Sequence, residues 1–106
     1  MEPKTLINAG LSKKEAKVLS YFFEEDNALS REIEHKLRMR QPEVCLALIH
    51  FVKKGWLTYE KMRPQGKGRP QQIYSIKDKK EVLTELINNL RKEQKKIEET
   101  IKKLSL

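Results

Sequence analysis

The residues able to carry covalent or metal chemistry are few and scattered. Cys45 is the only cysteine in 106 residues, which excludes an internal disulfide and a zinc site built from several thiolates of one chain. Beside Val44 it reads as a small buried hydrophobe rather than a redox sensor. His35 and His50 lie fifteen positions apart with no second ligand type near either, short of what a metal centre or a haem requires. There is no glycine-rich phosphate loop, and no Ser or Cys paired with His in a recognisable motif. The chain therefore reads as a non-enzyme, without metal or cofactor and with no evident small-molecule effector.

A different chemistry is concentrated in the middle of the chain. The net charge is +8, yet residues 1–30 carry four lysines against five acids, 31–77 carry eleven Lys and Arg against four acids, and 78–106 carry eight against six. Lys61, Arg63, Lys67 and Arg69 fall within nine residues that contain no acid, interspersed with Gly66 and Gly68. Repulsion of that density normally needs a counter-anion. The glycines would let the backbone approach a phosphate ridge, and an arginine at such a tip can enter a narrow minor groove. A merely solvated loop is the plain alternative. Arg38, Arg40, Gln41 and Glu43 form a second polar cluster, with Ala47 and His50 further along the same side of one helix. Arginine pairs bidentately with guanine and glutamine with adenine, while a carboxylate accepts from cytosine or caps the helix. His50 could touch a phosphate or sit in water.

The elements that must position these residues can be read from pattern. Ser12 followed by Glu15 has the form of a capping box, and Ala16, Leu19, Phe22 and Phe23 repeat at helical spacing, predicting a first helix to about Glu25. Asp26 and Asn27 read as a turn, Ala28 and Leu29 as a minimal strand, and Ser30 as the cap of a short second helix whose inward face is Ile33 and Leu37. Pro42 suits the first position of a third helix and Gly55 its end. Val44, Leu48, Phe51 and Val52 mark the core stripe of that helix. Residues 56–63 and 71–76 are two candidate strands joined by a Gly- and Pro-rich tip. Phe22, Phe23, Trp56, Tyr59 and Tyr74 fall mostly on core stripes, which favours packing over stacking on single-stranded bases.

From Asp78 onward there is no proline or glycine, and Leu83, Leu86, Ile87, Leu90, Ile97, Ile101 and Leu104 recur on one side of a single long helix. At about 1.5 Å per residue it would be roughly 40 Å long, more than a domain of this size can cover. Pairing with a second copy is the expectation. No apolar run approaches the roughly 20 residues of a membrane span, and no export signal is recognisable, so a cytoplasmic protein is expected.

The expected architecture is thus mainly α with a small β-hairpin: a winged helix-turn-helix over residues 1–77, then a dimerisation helix over 78–106. Its opening, Gly10-Leu11-Ser12 with Glu15 and Ala16, resembles the start of the TrmB-like archaeal regulators. The hairpin, with Gly68-Arg69-Pro70 and Tyr74, is similar to wings of the wider ArsR-, MarR- and PadR-like groups. The resemblance spans about residues 6–77 and implies a DNA-binding transcription regulator, with the third helix as reader and the wing on the backbone. Full-length TrmB-like proteins carry a large sugar-sensing domain where this sequence has only a helix, so sugar binding is not carried over. Short archaeal regulators that pair through a C-terminal helix are the nearer architecture. The function expected is a homodimer on double-stranded DNA. The alternatives are a winged-helix interaction module of a larger assembly and a sequence-tolerant, chromatin-like DNA-binding protein.

Overall fold

Ser12 opens its helix as the spacing to Glu15 predicts. In the computed structural model, which describes residues 1–62 and 71–106, the Glu15 N–H donates to Ser12 Oγ at 3.2 Å and the Ser12 N–H to Glu15 Oε1 at 3.4 Å. This helix is not the first. A helix α1, Pro3–Asn8, precedes it, and the capped one is α2, Lys13–Glu24. Gly10, at φ +108°, makes the bend between them, a conformation that costs a residue without Cβ little. Leu6 and Leu11 are buried on either side of the bend, so the N-terminal segment extends the core.

Strand β1, Asn27–Leu29, leads directly into α3, Ser30–Leu37. Leu29 rather than Ser30 takes the N-cap position, and the Glu32 carboxylate accepts its N–H at 3.3 Å. Arg38 ends α3 in the left-handed region, φ 52°. This lets the chain reverse within three residues into α4, Gln41–Lys53, with Pro42 in its first turn. Gly55, at φ +81°, follows its end.

Strands β2, Leu57–Met62, and β3, Gln71–Ile76, pair antiparallel, and β1 adds to the free edge of β3, giving the order β1-β3-β2. Ala28 opposes Tyr74, and Tyr74 opposes Tyr59 on its other side. One core gathers these pieces: Phe22 and Val18 from α2, Ile33 from α3, Leu48 and Phe51 from α4, and Leu57 from β2. The Phe51 and Trp56 rings stack with centroids 5.6 Å apart, and Lys54 lies 4.6 Å over the Trp56 ring.

The last helix, α5, Lys79–Leu104, starts at Asp78, whose Oδ1 accepts the Lys80 and Glu81 N–H groups. Val82 and Leu86 enter the core, Trp56 Nε1 donates to the Glu85 carboxylate, and Lys79 Nζ pairs with Asp26 at 2.7 Å. From Ile87 onward every residue of α5 is exposed, and the molecule is 70 Å long but only 24 by 20 Å across. Leu86, expected in the pairing stripe, belongs to the chain's own core. Among the described residues no helix is long and apolar enough to cross a membrane.

Candidate nucleic-acid interface

The turn between α3 and α4 exposes Arg38 and Arg40 on consecutive sides of the half-buried Met39. Arg40 is the N-cap of α4 and Gln41 its first residue. The first turn therefore carries a cation and an amide beside backbone N–H groups that have no partner within the helix, an arrangement suited to anions.

Gln41 opens into a polar cleft of ≈350 Å³ shared with Ser30, Arg31 and Glu34 of α3 and with Gln71 and Gln72 of β3. Residues thirty and forty positions apart are brought together because β1 carries α3 onto the edge of β3. Lys61 is exposed, and its strand partner is Gln72, so the basic stem of the hairpin stands one strand away. Arg63, Lys67 and Arg69 lie outside the described residues. Arg31, Gln71 and Gln72 were not among the residues singled out by sequence. Their signal is weak, since each looks like an ordinary solvated residue until the sheet places it.

The outward face of α4 differs from the sequence reading. Ala47 is 3% exposed, within the stripe of Val44, Leu48 and Phe51, because it sits three residues after Val44 and four before Phe51 and so points at α2. It is not available to a base edge. Cys45, expected to be buried, is exposed. It lies four residues before Ile49 on a row turned away from α2. Leu46 is 69% exposed and Ile49 48%. A second cleft of ≈300 Å³ runs between this row and the sheet, lined by Ile49, Val52, Lys53, Tyr59, Gln72 and Tyr74. Tyr74 Oη donates to Gln72 Oε1 at 2.7 Å, holding the amide that borders both clefts. Burial, and after it the neighbouring Cys45 thiol and Tyr59 hydroxyl, push the Tyr74 hydroxyl above its ordinary pKa of 10.0, so it remains a donor at neutral pH.

Glu43 and His50 turn toward α2. Lys14 Nζ lies 3.6 Å from Glu43 Oε2, and His50 Nδ1 is hydrogen-bonded to Glu15 Oε2. Burial raises the Glu15 pKa, but the hydrogen bonds from His50 and from the Ser12 side chain and backbone, with the His50 charge, outweigh it and hold the carboxyl below its ordinary value. These two residues, expected to reach DNA, are engaged in holding α4 on α2.

No group of three or more His, Cys, Asp or Glu able to hold a metal ion occurs among the described residues. No protein-family model matches the chain, and no curated protein matches it. Solved structures do. The chain is similar, over 90% of its length and 80% of the other, to a possible transcriptional regulator from Methanosarcina mazei Go1, with a TM-score of 0.71 at 16% identity. A protein from the thermoacidophilic archaeon Sulfolobus tokodaii matches over 89% of this chain and 96% of its own, with a TM-score of 0.67 at 15% identity. The overoxidized AbfR protein bound to DNA matches over 95% of this chain and 79% of its own, with a TM-score of 0.54 at 23% identity. The likeness establishes the fold, a winged helix followed by a long C-terminal helix.

Proposed function

We propose that this chain is a transcription regulator that binds double-stranded DNA with sequence preference, as a homodimer. The first turn of α4 enters the major groove, and the hairpin between β2 and β3 rests on the backbone or in the adjacent minor groove. The observation that carries this reading is the polar cleft in which Gln41, Arg31, Gln71 and Gln72 meet, flanked by exposed Arg38, Arg40 and Lys61. A groove-reading helix and a backbone-tracking hairpin must share one edge of the domain, and the basic segment, residues 31–77, supplies both. That one of the similar structures was solved on DNA accords with it. In this reading residues 1–77 bind DNA and residues 78–106 join the protomers, with the first turns of α5 serving both parts. Exposed Ile97 and Ile101 on a helix that has left its own domain support the second half.

The test is a titration of duplex DNA at several salt concentrations. Six to ten phosphate contacts over a dimer would cost about a thousandfold or more in affinity between 50 and 200 mM salt. Selection on random duplexes should return a roughly two-fold symmetric site with half-sites a whole number of helical turns apart. Binding that ignores salt would reject the proposal, and equal binding to all duplexes within roughly tenfold would reduce it to a sequence-tolerant DNA binder. Lys67→Ala with Arg69→Ala should weaken binding to every duplex and lower the salt slope by about one unit per lost contact.

One observation favours a second reading. The exposed surface of α4 presents the apolar Cys45, Leu46 and Ile49 before Lys53, a face that would also suit docking on another protein. A chain that leaves duplex DNA unshifted while binding a protein through Leu46 would establish that alternative.

A further inference from the structure

The apolar stripe of α5 is divided between two tasks. Val82 and Leu86 are buried in the protomer's own core and Leu83 is half-covered, so the part left for a partner is residues 87–104. Two rows run along it at seven-residue spacing: Leu83, Leu90, Ile97 and Leu104 in one, and Ile87, Gln94 and Ile101 in the other, four positions on. Two-stranded helical pairs join such rows. When the helices are parallel each row faces itself, and when they are antiparallel each row faces the other.

We propose that two copies of α5 pair antiparallel about an axis passing between Lys95 and Lys96, with Ile87 against the partner's Leu104, Leu90 against the partner's Ile101, and Gln94 against the partner's Ile97. The proposal rests on the homodimer reading above and fixes its geometry. This register matches the exposed stretch to itself and leaves no apolar residue of 87–104 without an apolar or amide neighbour. The flanking charges decide between arrangements. A parallel, in-register pair sets Glu93 opposite the partner's Glu98, twice. The other antiparallel register, centred on Lys92, sets Arg91 opposite the partner's Arg91 and Glu93 opposite the partner's Glu93, and stacks Leu104 on the partner's Lys80. The proposed register sets Arg91 opposite the partner's Glu98, twice, and Glu93 beside the partner's Thr100. Like charges across such a seam are destabilising and opposite ones favourable.

The receiving end is already shaped for this. Ile87 and Leu90 border an apolar groove of ≈360 Å³ between α1 and α5, whose other wall includes Thr5, Asn8 and Ala9. The partner's Leu104 arrives at its mouth. The overlap is about 18 residues, roughly 27 Å, and the two domains are held with the starts of their α5 helices about 50 Å apart; a parallel pair would hold them side by side.

Disulfide cross-linking of the full chain tests the arrangement, with Cys45→Ser removing the native thiol. Ile87→Cys combined with Leu104→Cys should give a covalent dimer under mild oxidation, whereas either substitution alone should not. Within one helix the two sites are about 25 Å apart, beyond the reach of an internal disulfide. Cross-linking by either single variant would overturn the antiparallel arrangement, as would failure of the double variant while the wild-type chain sediments as a dimer. A wild-type chain that sediments as a monomer would overturn the dimer reading itself, which separates the two failures. Charge exchange tests it without touching the apolar rows. Glu98→Arg should weaken dimerisation by about three- to tenfold and Arg91→Glu added to it should restore it. If Glu98→Arg instead tightens the dimer, relieving Glu93, the helices are parallel and the proposal fails.

Discussion

The two long sides of α4 do not divide into an apolar packing side and a wholly polar free side. Toward α2, Val44, Ala47, Leu48 and Phe51 are buried, and the polar residues at the rim, Glu43 and His50, are bonded to Lys14 and Glu15. Away from α2, Gln41, Cys45, Ile49 and Lys53 are exposed, while the exposed Leu46 borders a cleft shared with Ser12, Lys14 and Glu15. Polar character therefore does not mark the free side. What marks it is the absence of α2, and the apolar residues there suit contact with thymine methyl groups as well as arginine and glutamine suit purines.

The contrast is broken most forcefully by truncation. Phe51→Ala should cost about 3–5 kcal/mol of folding stability, since it removes a fully buried ring and its stack on Trp56. Ile49→Ala, two residues away on the other side, should stay within roughly 1 kcal/mol. Guanidinium unfolding of both variants measures the difference. Comparable losses at the two positions would mean that the outward side is covered in solution.

The local signals in the sequence were sufficient for the capped start of α2, the Pro42 and Gly55 brackets of α4, the two strands of the hairpin and the long α5. In each of these, propensity, pattern and capping agree. What escaped depends on packing. Helix α1 has six residues, too few to display a period, and only Leu6 of them is buried. Ala47 and Cys45 exchanged places because a small apolar side chain gives little indication of which way it faces. The choice falls to the crossing of α4 over α2, where a residue as small as alanine lets the helices approach. The pairing of His50 with Glu15 spans 35 positions, and no local pattern encodes it. The site followed the same division. Arg38, Arg40, Gln41 and Lys61 were legible as exposed polar groups in a basic segment, whereas Arg31, Gln71 and Gln72 joined them only through the pairing of β1 with β3.

Binding measurements sharpen the comparison at smaller energies. Gln41→Ala should relax base preference at one position of each half-site, a loss of about 1–3 kcal/mol in discrimination. Arg40→Ala should weaken all duplexes more evenly and lower the salt slope by about one unit. Glu43→Gln and His50→Gln, on the α2 side, should leave the selected sequence unchanged. A changed base preference in either of those two variants would move the reading surface to the other side of α4.

The smallest effect is electrostatic and belongs to the α2 side alone. The Glu15 carboxyl is held below its ordinary value of 4.5 in the folded chain. Its interactions therefore contribute stability that is present above that value and is lost as pH falls through the lower folded one. Glu15→Gln keeps the size of the side chain and removes the charge. Its deficit relative to wild type should be about 1 kcal/mol or less near pH 6, because the pair is only partly shielded from water, and should close as the pH falls below 4.5 and through the lower folded value. Thermal unfolding of the two proteins across that range measures it. A deficit that persists unchanged into acid would show that the carboxylate charge is not what joins α2 to α4. The capping of α2 and the neutral hydrogen bond to His50 would then carry the contact.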